Sequence, residues 1–454
     1  MATFSIENFG CRATDADAAA IRHELLKSGF TLAPDHESAS IVVLNTCTVT
    51  AAADSQAREA VRKIHAANPQ ARVIVTGCYA QRAPAELAVI PGVACVVGTS
   101  HQAEIPSVAR GLGADITPER SGAADFIPVE MLRGNNSATR AAKIIAGDIF
   151  ALSSVQFAAA AFMAGDRTRP ILKVQDGCNN RCSYCVIPLV RGRSRSLPAD
   201  QAISQIRALV DAGVKEIVLS GINLGSYGRD LTPRVDLVGL VHRILHETSI
   251  QMLRFSSIEP QDITEDFVHL MASSARLAPH FHVPLQSGSD RILKAMHRWY
   301  RTAHYSERVR VIRRVLPDAA IGTDVIAGFP GETDEDFRAT TELIGDLPFT
   351  YLHGFSFSAR PGTAGATLGN TVPPNVIRER ARALRAFGHQ KSVGFRALQS
   401  GRVLRALTLA RSCDAWTEAI TGNYLKVRVP GQHAANQWLD VRLGAEGSAA
   451  DIQS

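Results

Sequence analysis

The sequence predicts an α/β protein in three parts: an N-terminal open parallel α/β sheet, a central partial (β/α)6 barrel and a small C-terminal β-rich domain. Three observations predict this. Short apolar runs alternate with amphipathic stretches over residues 3–98 and again from residue 171. Cysteines recur at the carboxyl ends of the predicted strands. Past Pro373-Pro374 the pattern changes to one Arg-rich amphipathic stretch and then short runs separated by glycine turns. Strands that alternate with helices need right-handed crossovers, and so form a parallel sheet.

Taken in order, residues 4–10, 40–45, 72–76 and 94–97 read as strands, and 15–28, 51–67 and 84–89 as helices. The first domain is placed at 1–110. Residues 111–169 show no clear period; scattered Gly, Pro and Asn and an Ala-rich tract predict a linker with partial helix. The barrel is placed at 170–372, with strands at 171–175, 216–220, 253–258, 280–286, 321–327 and 351–358. Helix-compatible sequence follows each of the first five, and six units fit an open barrel better than a closed eight-fold one. Residues 373–454 begin with a helix at 375–399 and continue with strands near 403–409, 424–429 and 438–443, a small barrel or sandwich.

A chain of 454 residues with 46% hydrophobic content has enough apolar material for two or three cores. Net charge is +6, and residues 361–454 carry all of it, with 12 Lys+Arg against 6 Asp+Glu. A basic segment of this kind is an electrostatic footprint for nucleic acid. No apolar leader follows the first residue, and the most apolar stretch, 149–164, is short and broken by Ser153, Ser154 and Gln156. The expectation is a cytoplasmic protein with no membrane attachment. Eight cysteines then point to a reducing compartment and to ligand or catalytic roles. Cys95, inside a strand, and Cys413, in the basic tail, read as ordinary.

Cys178, Cys182 and Cys185 stand in the C-x3-C-x2-C run Gly177-Cys-Asn-Asn-Arg-Cys-Ser-Tyr-Cys-Val-Ile-Pro188. Three thiolates this close can hold a cubane iron–sulfur cluster, one ligand short of the usual four. One iron is then open to an outside ligand. Zinc prefers four closed ligands, and no fourth Cys or His lies at a matching local spacing. The run follows the first barrel strand at once, which places it on the face where barrel enzymes do their chemistry.

Cys11, Cys47 and Cys78 close three successive strands of the first domain. In a parallel sheet the carboxyl ends share one edge, so these distant cysteines converge there. Gly10 and Gly77 allow close backbone approach, and the helices that follow present N-termini that favour thiolate charge. Three converging thiolates again suggest a [4Fe–4S] cluster with an open iron.

Two such sites, an α/β domain first and a partial barrel second, resemble the methylthiotransferase family of radical S-adenosylmethionine enzymes. The resemblance covers nearly the whole chain. It rests on Gly10-Cys11, Asn45-Thr46-Cys47, Thr76-Gly77-Cys78, the Gly177–Pro188 block, Val218-Leu219-Ser220-Gly221-Ile222, Ser256-Ser257-Ile258-Glu259, the stretch from His282 to Ser289 and the stretch from Thr323 to Thr333. The closest branch looks like the tRNA enzymes acting on N6-threonylcarbamoyladenosine, which the Asn45-Thr46-Cys47-Thr48-Val49-Thr50, Ile90-Pro91-Gly92-Val93 and Asp166-Arg167-Thr168-Arg169 runs resemble. Sibling branches act on isopentenyladenosine in tRNA or on an aspartate of a ribosomal protein. A non-catalytic iron–sulfur RNA-binding protein is the reading from another class; the intact Cys178/Cys182/Cys185 set and the six barrel units argue against it.

The resemblance implies two [4Fe–4S] clusters and S-adenosyl-L-methionine as cofactors. The barrel cluster would generate a radical that removes hydrogen from carbon 2 of the adenine. The N-terminal cluster would hold the sulfur to be attached. Tyr184 is of the aromatic type found before the third cysteine, and Ser220 and Gly221 match the family's contact to the methionine amino group. Glu259 and Gln286 would bind ligand or substrate, and Asp324 and Gly328 would hold ribose and adenine. The C-terminal domain would be TRAM-like and bind tRNA, with Arg191-Gly-Arg-Ser-Arg195 a further phosphate contact. An external flavodoxin- or ferredoxin-like electron donor and a sulfur source are implied as partners. Thr14 stands where the family carries Asn.

Overall fold

The computed structural model describes residues 2–114, 141–156, 167–444 and 450–452. It divides into two compact units, and the short segment Leu189–Gly192 groups with the N-terminal one.

The N-terminal unit is a six-stranded parallel sheet in the order β2-β1-β3-β4-β5-β6. Its strands are β1 (Thr3–Asn8), β2 (Thr31–Leu32), β3 (Ile41–Thr46), β4 (Arg72–Gly77), β5 (Val93–Gly98) and β6 (Lys143–Ile145). β3 is buried along its whole length, as a central parallel strand covered on both faces must be. Ile41 and Val43 pack with Ile21, Leu25, Ile105 and Ala109 on one side. Val42 and Leu44 pack with Ala57, Val61, Ile64 and Leu87 on the other. The period-two alternation of the strand therefore sorts its side chains between two helical layers. Helix Ala51–Ala67 has the bounds expected, because Thr50 caps it through Ala53 N at 3.2 Å. Inside the expected linker, Lys143–Ile145 forms the edge strand β6; three residues are too few for periodicity to show. Most of the expected partial helix lies outside the described residues.

The second unit contains six parallel barrel strands: β7 (Ile171–Asp176), β9 (Glu216–Gly221), β10 (Met252–Phe255), β11 (His280–His282), β12 (Ala320–Ala327) and β13 (Tyr351–Ser356). They form two ladders, β10-β9-β7 and β11-β12-β13, joined where Ile258 N donates to His282 O at 2.9 Å. The short β8 (Arg195–Ser196) pairs antiparallel with β7. β11 stops at His282, where a strand reaching Gln286 was expected; Leu285 N and Gln286 N both donate to Asp324 O, at 3.2 and 2.8 Å, so the register is irregular there and pairing with β12 returns only as a single bridge from Gln286 to Val325.

Helix Pro374–Leu398 then leads to a five-stranded antiparallel sheet, β16-β15-β14-β17-β18. Its strands are β14 (Val403–Cys413), β15 (Trp416–Thr421), β16 (Lys426–Pro430), β17 (Trp438–Leu443) and β18 (Ala450–Ile452). β15 and β18 escaped the sequence reading; β15 turns Thr417, Ala419 and Thr421 to the core, a face not apolar enough to stand out. Phe395, Ala406, Val427 and Val441 share one core with Ala320 of β12. Arg254 of β10 donates to Gly422 O at 2.8 Å and lies 5.3 Å from the Tyr424 ring centroid. This sheet is therefore built onto the base of the barrel. No described helix is long and apolar enough to cross a membrane.

Candidate functional site: two cysteine trios

In the N-terminal unit, Cys11 caps helix Arg12–Lys27, Cys47 follows β3, and Cys78 opens helix Cys78–Arg82 directly after β4. All three are free thiols; Cys11 is exposed, and Cys47 and Cys78 are buried. Burial pushes the Cys78 thiol up to about 12, and the neighbouring Cys47 and Cys11 push the same way. Gly77 before Cys78 holds φ +95, and a Cβ there would sit 2.3 Å from Thr46 O. A Cβ on Gly10 would meet Cys47 Cβ at 2.9 Å. Only glycine lets these two turns bring the cysteines together.

The threonines of the run around Cys47 each have a partner. Thr46 Oγ1 donates to Thr76 O at 2.5 Å, Thr48 Oγ1 donates to Asp54 at 2.6 Å, and Thr50 caps its helix. Thr14 is fully buried, and its Oγ1 donates to Cys11 O at 2.7 Å. Asn45 Nδ2 donates to Thr14 O at 2.8 Å. A hydroxyl at position 14 therefore orders the Cys11 turn where the family has an amide.

Arg191 was expected to be a phosphate contact. The structure buries it, with only 2% exposed. Its Nε donates to Cys78 Sγ at 3.3 Å, and its terminal nitrogen pairs at 2.7 Å with Asp17, which has no exposed surface. Arg195 is buried too, with Asp176 at 3.7 Å. Both arginines are spent inside the protein, and Arg191 sets a cation against the N-terminal trio.

In the barrel unit, Cys178, Cys182 and Cys185 lie on the loop after β7, partly buried and free. Burial raises Cys178 to about 11 and Cys185 to about 12. Asn180 N donates to Cys178 Sγ at 3.4 Å. Gln175 ties the loop down: its Nε2 donates to Gly177 O at 2.7 Å and to Ser194 at 2.9 Å, and its Oε1 accepts from Asn223 N at 2.8 Å. Arg298, 6% exposed, donates to Cys182 Sγ at 3.3 Å, pairs with Glu259 and lies 4.9 Å from the Tyr300 ring centroid.

Of the other expected site residues, Ser220 and Gly221 end β9, and a Cβ on Gly221 would meet Gln175 Oε1 at 2.8 Å. Glu259 lies beyond β10 and is the counter-ion of Arg298. Gln286 lies beyond β11 with φ +67, a strained conformation for a residue other than glycine. Tyr184 packs against Ile292, Met296 and Phe329. Asp324 sits inside β12 beside His282. Gly328 follows β12; its N–H donates to Glu332 at 2.8 Å, and a Cβ there would strike Ile377. Arg191 was read for phosphate instead of for a cysteine, and Arg298 and Gln175 were missed as functional residues. Their partners are 113, 116 and up to 48 residues away in sequence, and no local motif marks them.

Each trio thus contains two free thiols that burial makes hard to ionise, Cys47 and Cys78 in one and Cys178 and Cys185 in the other, with one buried guanidinium on a sulfur. A cluster holds its cysteines as thiolates, and both the metal and the guanidinium favour that form. Among the described residues no fourth cysteine joins either trio. The donor sets therefore fit [4Fe–4S] clusters with one open iron each. Fold and sites together define an iron–sulfur enzyme of the radical S-adenosylmethionine class.

Comparison with known proteins agrees. Residues 172–344 match the radical SAM superfamily, and residues 3–98 match an uncharacterized protein family, UPF0004. Threonylcarbamoyladenosine tRNA methylthiotransferase MtaB of Aquifex aeolicus is 34% identical, with 94% of this chain and 96% of the relative covered. The protein of the same name from Bacillus subtilis is 34% identical over 95% of this chain and 91% of its own. A tRNA-2-methylthio-N(6)-dimethylallyladenosine synthase of Syntrophobacter fumaroxidans is 34% identical over 83% and 78%. The radical S-adenosylmethionine methyltransferase TsrM of Kitasatospora setae, solved with cobalamin and a [4Fe-4S] cluster, aligns with TM-score 0.57 at 17% identity over 81% of this chain and 77% of its own, a likeness of fold. The chain belongs to the methylthiotransferase family of radical S-adenosylmethionine enzymes. It is a transferase whose two cysteine trios suit two [4Fe–4S] clusters and S-adenosylmethionine.

Proposed function

We propose that this protein methylthiolates carbon 2 of N6-threonylcarbamoyladenosine next to the tRNA anticodon, giving 2-methylthio-N6-threonylcarbamoyladenosine. The observation that carries the reading is the pair of arginine-backed cysteine trios in a chain so similar, end to end, to relatives named for that nucleoside. When bound, the barrel cluster and S-adenosylmethionine supply the radical, and the N-terminal cluster supplies the sulfur.

The protein's own residues hold and shield these groups. Cys178, Cys182 and Cys185 ligate one cluster, and Cys11, Cys47 and Cys78 the other. Arg298, a buried cation beside Cys182, suits a carboxylate brought to the open iron, with Ser220 and Gly221 on the neighbouring strand end. Glu259 keeps that guanidinium aimed at the sulfur. On the C-terminal sheet, Arg428 and Arg405 lie 4.5 Å and 4.4 Å from the ring centroids of Trp416 and Trp438. Exposed arginines interleaved with aromatic rings suit a phosphate backbone and unstacked bases. Other tail cations are used inside the protein, as Arg380 is with Glu332 and Asp334. The basic surplus is therefore only partly a docking surface. An external reductant and a sulfur source complete the reaction, and the tRNA substrate places the work in the cytoplasm.

Nucleoside mass spectrometry of tRNA from a deletion strain tests the reading. Loss of 2-methylthio-N6-threonylcarbamoyladenosine with accumulation of its unthiolated precursor is the expected result. Loss of the isopentenyl or dimethylallyl analogue instead would move the protein to the sibling branch.

A further inference from the structure

Three adjacent barrel strands carry a polar strip that the cysteine chemistry leaves unused. His282 of β11, Asp324 of β12 and His353 of β13 each bring one nitrogen or oxygen within 4.8 Å of the other two. The strip is wired in a definite order. His280 Nε2 lies 2.8 Å from the Tyr351 hydroxyl, that hydroxyl lies 3.1 Å from His282 Nδ1, and His282 Nε2 lies 3.0 Å from Asp324 Oδ2. An ionised Asp324 only accepts, so His282 Nε2 carries a proton toward it, and in the neutral ring Nδ1 then accepts from Tyr351. Both nitrogens of His282 are committed, and its side chain is 9% exposed.

Asp324 keeps 25% of its side chain exposed, and His353 is exposed, stacked on the His282 ring at 5.8 Å. Phe355, 46% exposed, continues the same strand two residues on. The strip therefore presents a fixed acceptor, Asp324, beside an imidazole, His353, with an aromatic edge toward the strand's carboxyl end. Two histidines and a carboxylate also resemble a metal triad. A metal at His282 Nε2 would have to displace the proton that binds Asp324 and break the chain that orders the strip.

We infer that Asp324 and His353, backed by His282 and Tyr351, bind a urea-type substituent on the target base, the threonylcarbamoyl group in the function proposed above, on which this rests. A urea N–H is matched by the Asp324 carboxylate, and its carbonyl or the attached carboxylate by His353. A dimethylallyl substituent makes neither bond and would leave Asp324 desolvated. A site built on hydrogen bonds rejects the analogue that lacks them far more strongly than an apolar pocket rejects an extra group. Asp324 accordingly moves from the cofactor set to substrate recognition.

The test compares full-length, cluster-loaded wild type with His353→Leu and His353→Gln, on tRNA bearing threonylcarbamoyladenosine and on tRNA bearing dimethylallyladenosine. His353→Leu is expected to raise KM for the first tRNA by about tenfold to hundredfold. His353→Gln, which keeps a donor, is expected to recover most of it, and iron content should match wild type in both. An unchanged KM in His353→Leu at wild-type iron content overturns the inference. One equivalent of zinc bound tightly by wild type and lost in His353→Leu overturns it as well, in favour of a metal site. Wild type that turns over only the dimethylallyl tRNA sinks the substrate proposal itself, a result distinct from the other two.

Discussion

The two cysteine trios solve one problem by opposite routes. The barrel trio is local: three thiols within eight residues of one loop, fixed by Gln175 through backbone hydrogen bonds. The N-terminal trio is dispersed: its thiols come from three strand ends and meet only because the sheet is parallel. Each ends with a buried arginine on one sulfur and a carboxylate behind it, Arg298 with Glu259 and Arg191 with Asp17. The balance differs. Asp17 has no exposed side-chain surface, whereas Glu259 keeps 18%. The dispersed site is part of its unit's core.

The largest effect should come from the cysteines themselves. Replacing Cys178, Cys182 and Cys185 with Ala should abolish S-adenosylmethionine cleavage. Replacing Cys11, Cys47 and Cys78 should spare cleavage but end sulfur transfer. Each variant should keep about half the iron of wild type. Product analysis for 5′-deoxyadenosine and an iron assay read both, and loss of cleavage in a folded N-terminal variant would break the division of labour.

Gly77→Ala ranks next. It places a Cβ 2.3 Å from a backbone oxygen at φ +95. It should cost the N-terminal iron and lower the melting temperature, while the barrel cluster keeps its electron paramagnetic resonance signal. A wild-type iron count would show that the Thr46 strand end can move aside.

The arginine pair sharpens the comparison most directly. Arg191→Gln removes the cation paired with the buried Asp17 and should destabilise its unit by about 3–5 kcal/mol, read by denaturant unfolding, together with loss of N-terminal iron. Arg298→Gln leaves a carboxylate that water can still reach. Its main effect should be weaker S-adenosylmethionine binding, measured by equilibrium dialysis, with a smaller loss of stability. Equal stability losses would erase the distinction between the two sites.

Thr14→Ala should be the mildest. It removes the hydrogen bond to Cys11 O, worth about 0.5–1.5 kcal/mol. The N-terminal cluster should reconstitute more slowly in this variant, and Thr14→Asn should restore the rate.

Much of this was legible in the sequence. The Cys178/Cys182/Cys185 spacing survives any fold, because ligands within one loop meet by chain connectivity alone. The convergence of Cys11, Cys47 and Cys78 followed from strand–helix alternation, since a parallel sheet brings carboxyl ends to one edge. Helix Ala51–Ala67 was readable to the residue because its threonine cap is a local signal. Strands β2, β6 and β18, two or three residues long, were not, since their pairing depends on a neighbour and not on their own pattern.

The alternating α/β architecture, the two sets of thiols and the open iron each implies were thus readable along the chain. These depend on short-range spacing and on a periodicity that any parallel sheet must obey. What surrounds them is set by packing. Arg191 stands six residues past Cys185, yet it reaches Cys78, 113 residues earlier, and Asp17, 174 residues earlier. His282, Asp324 and His353 meet because β11, β12 and β13 lie side by side in register. Hydrogen bonds and ion pairs act over a few ångströms of space, so the partner of a buried charge is fixed by packing, and no spacing along the chain records it.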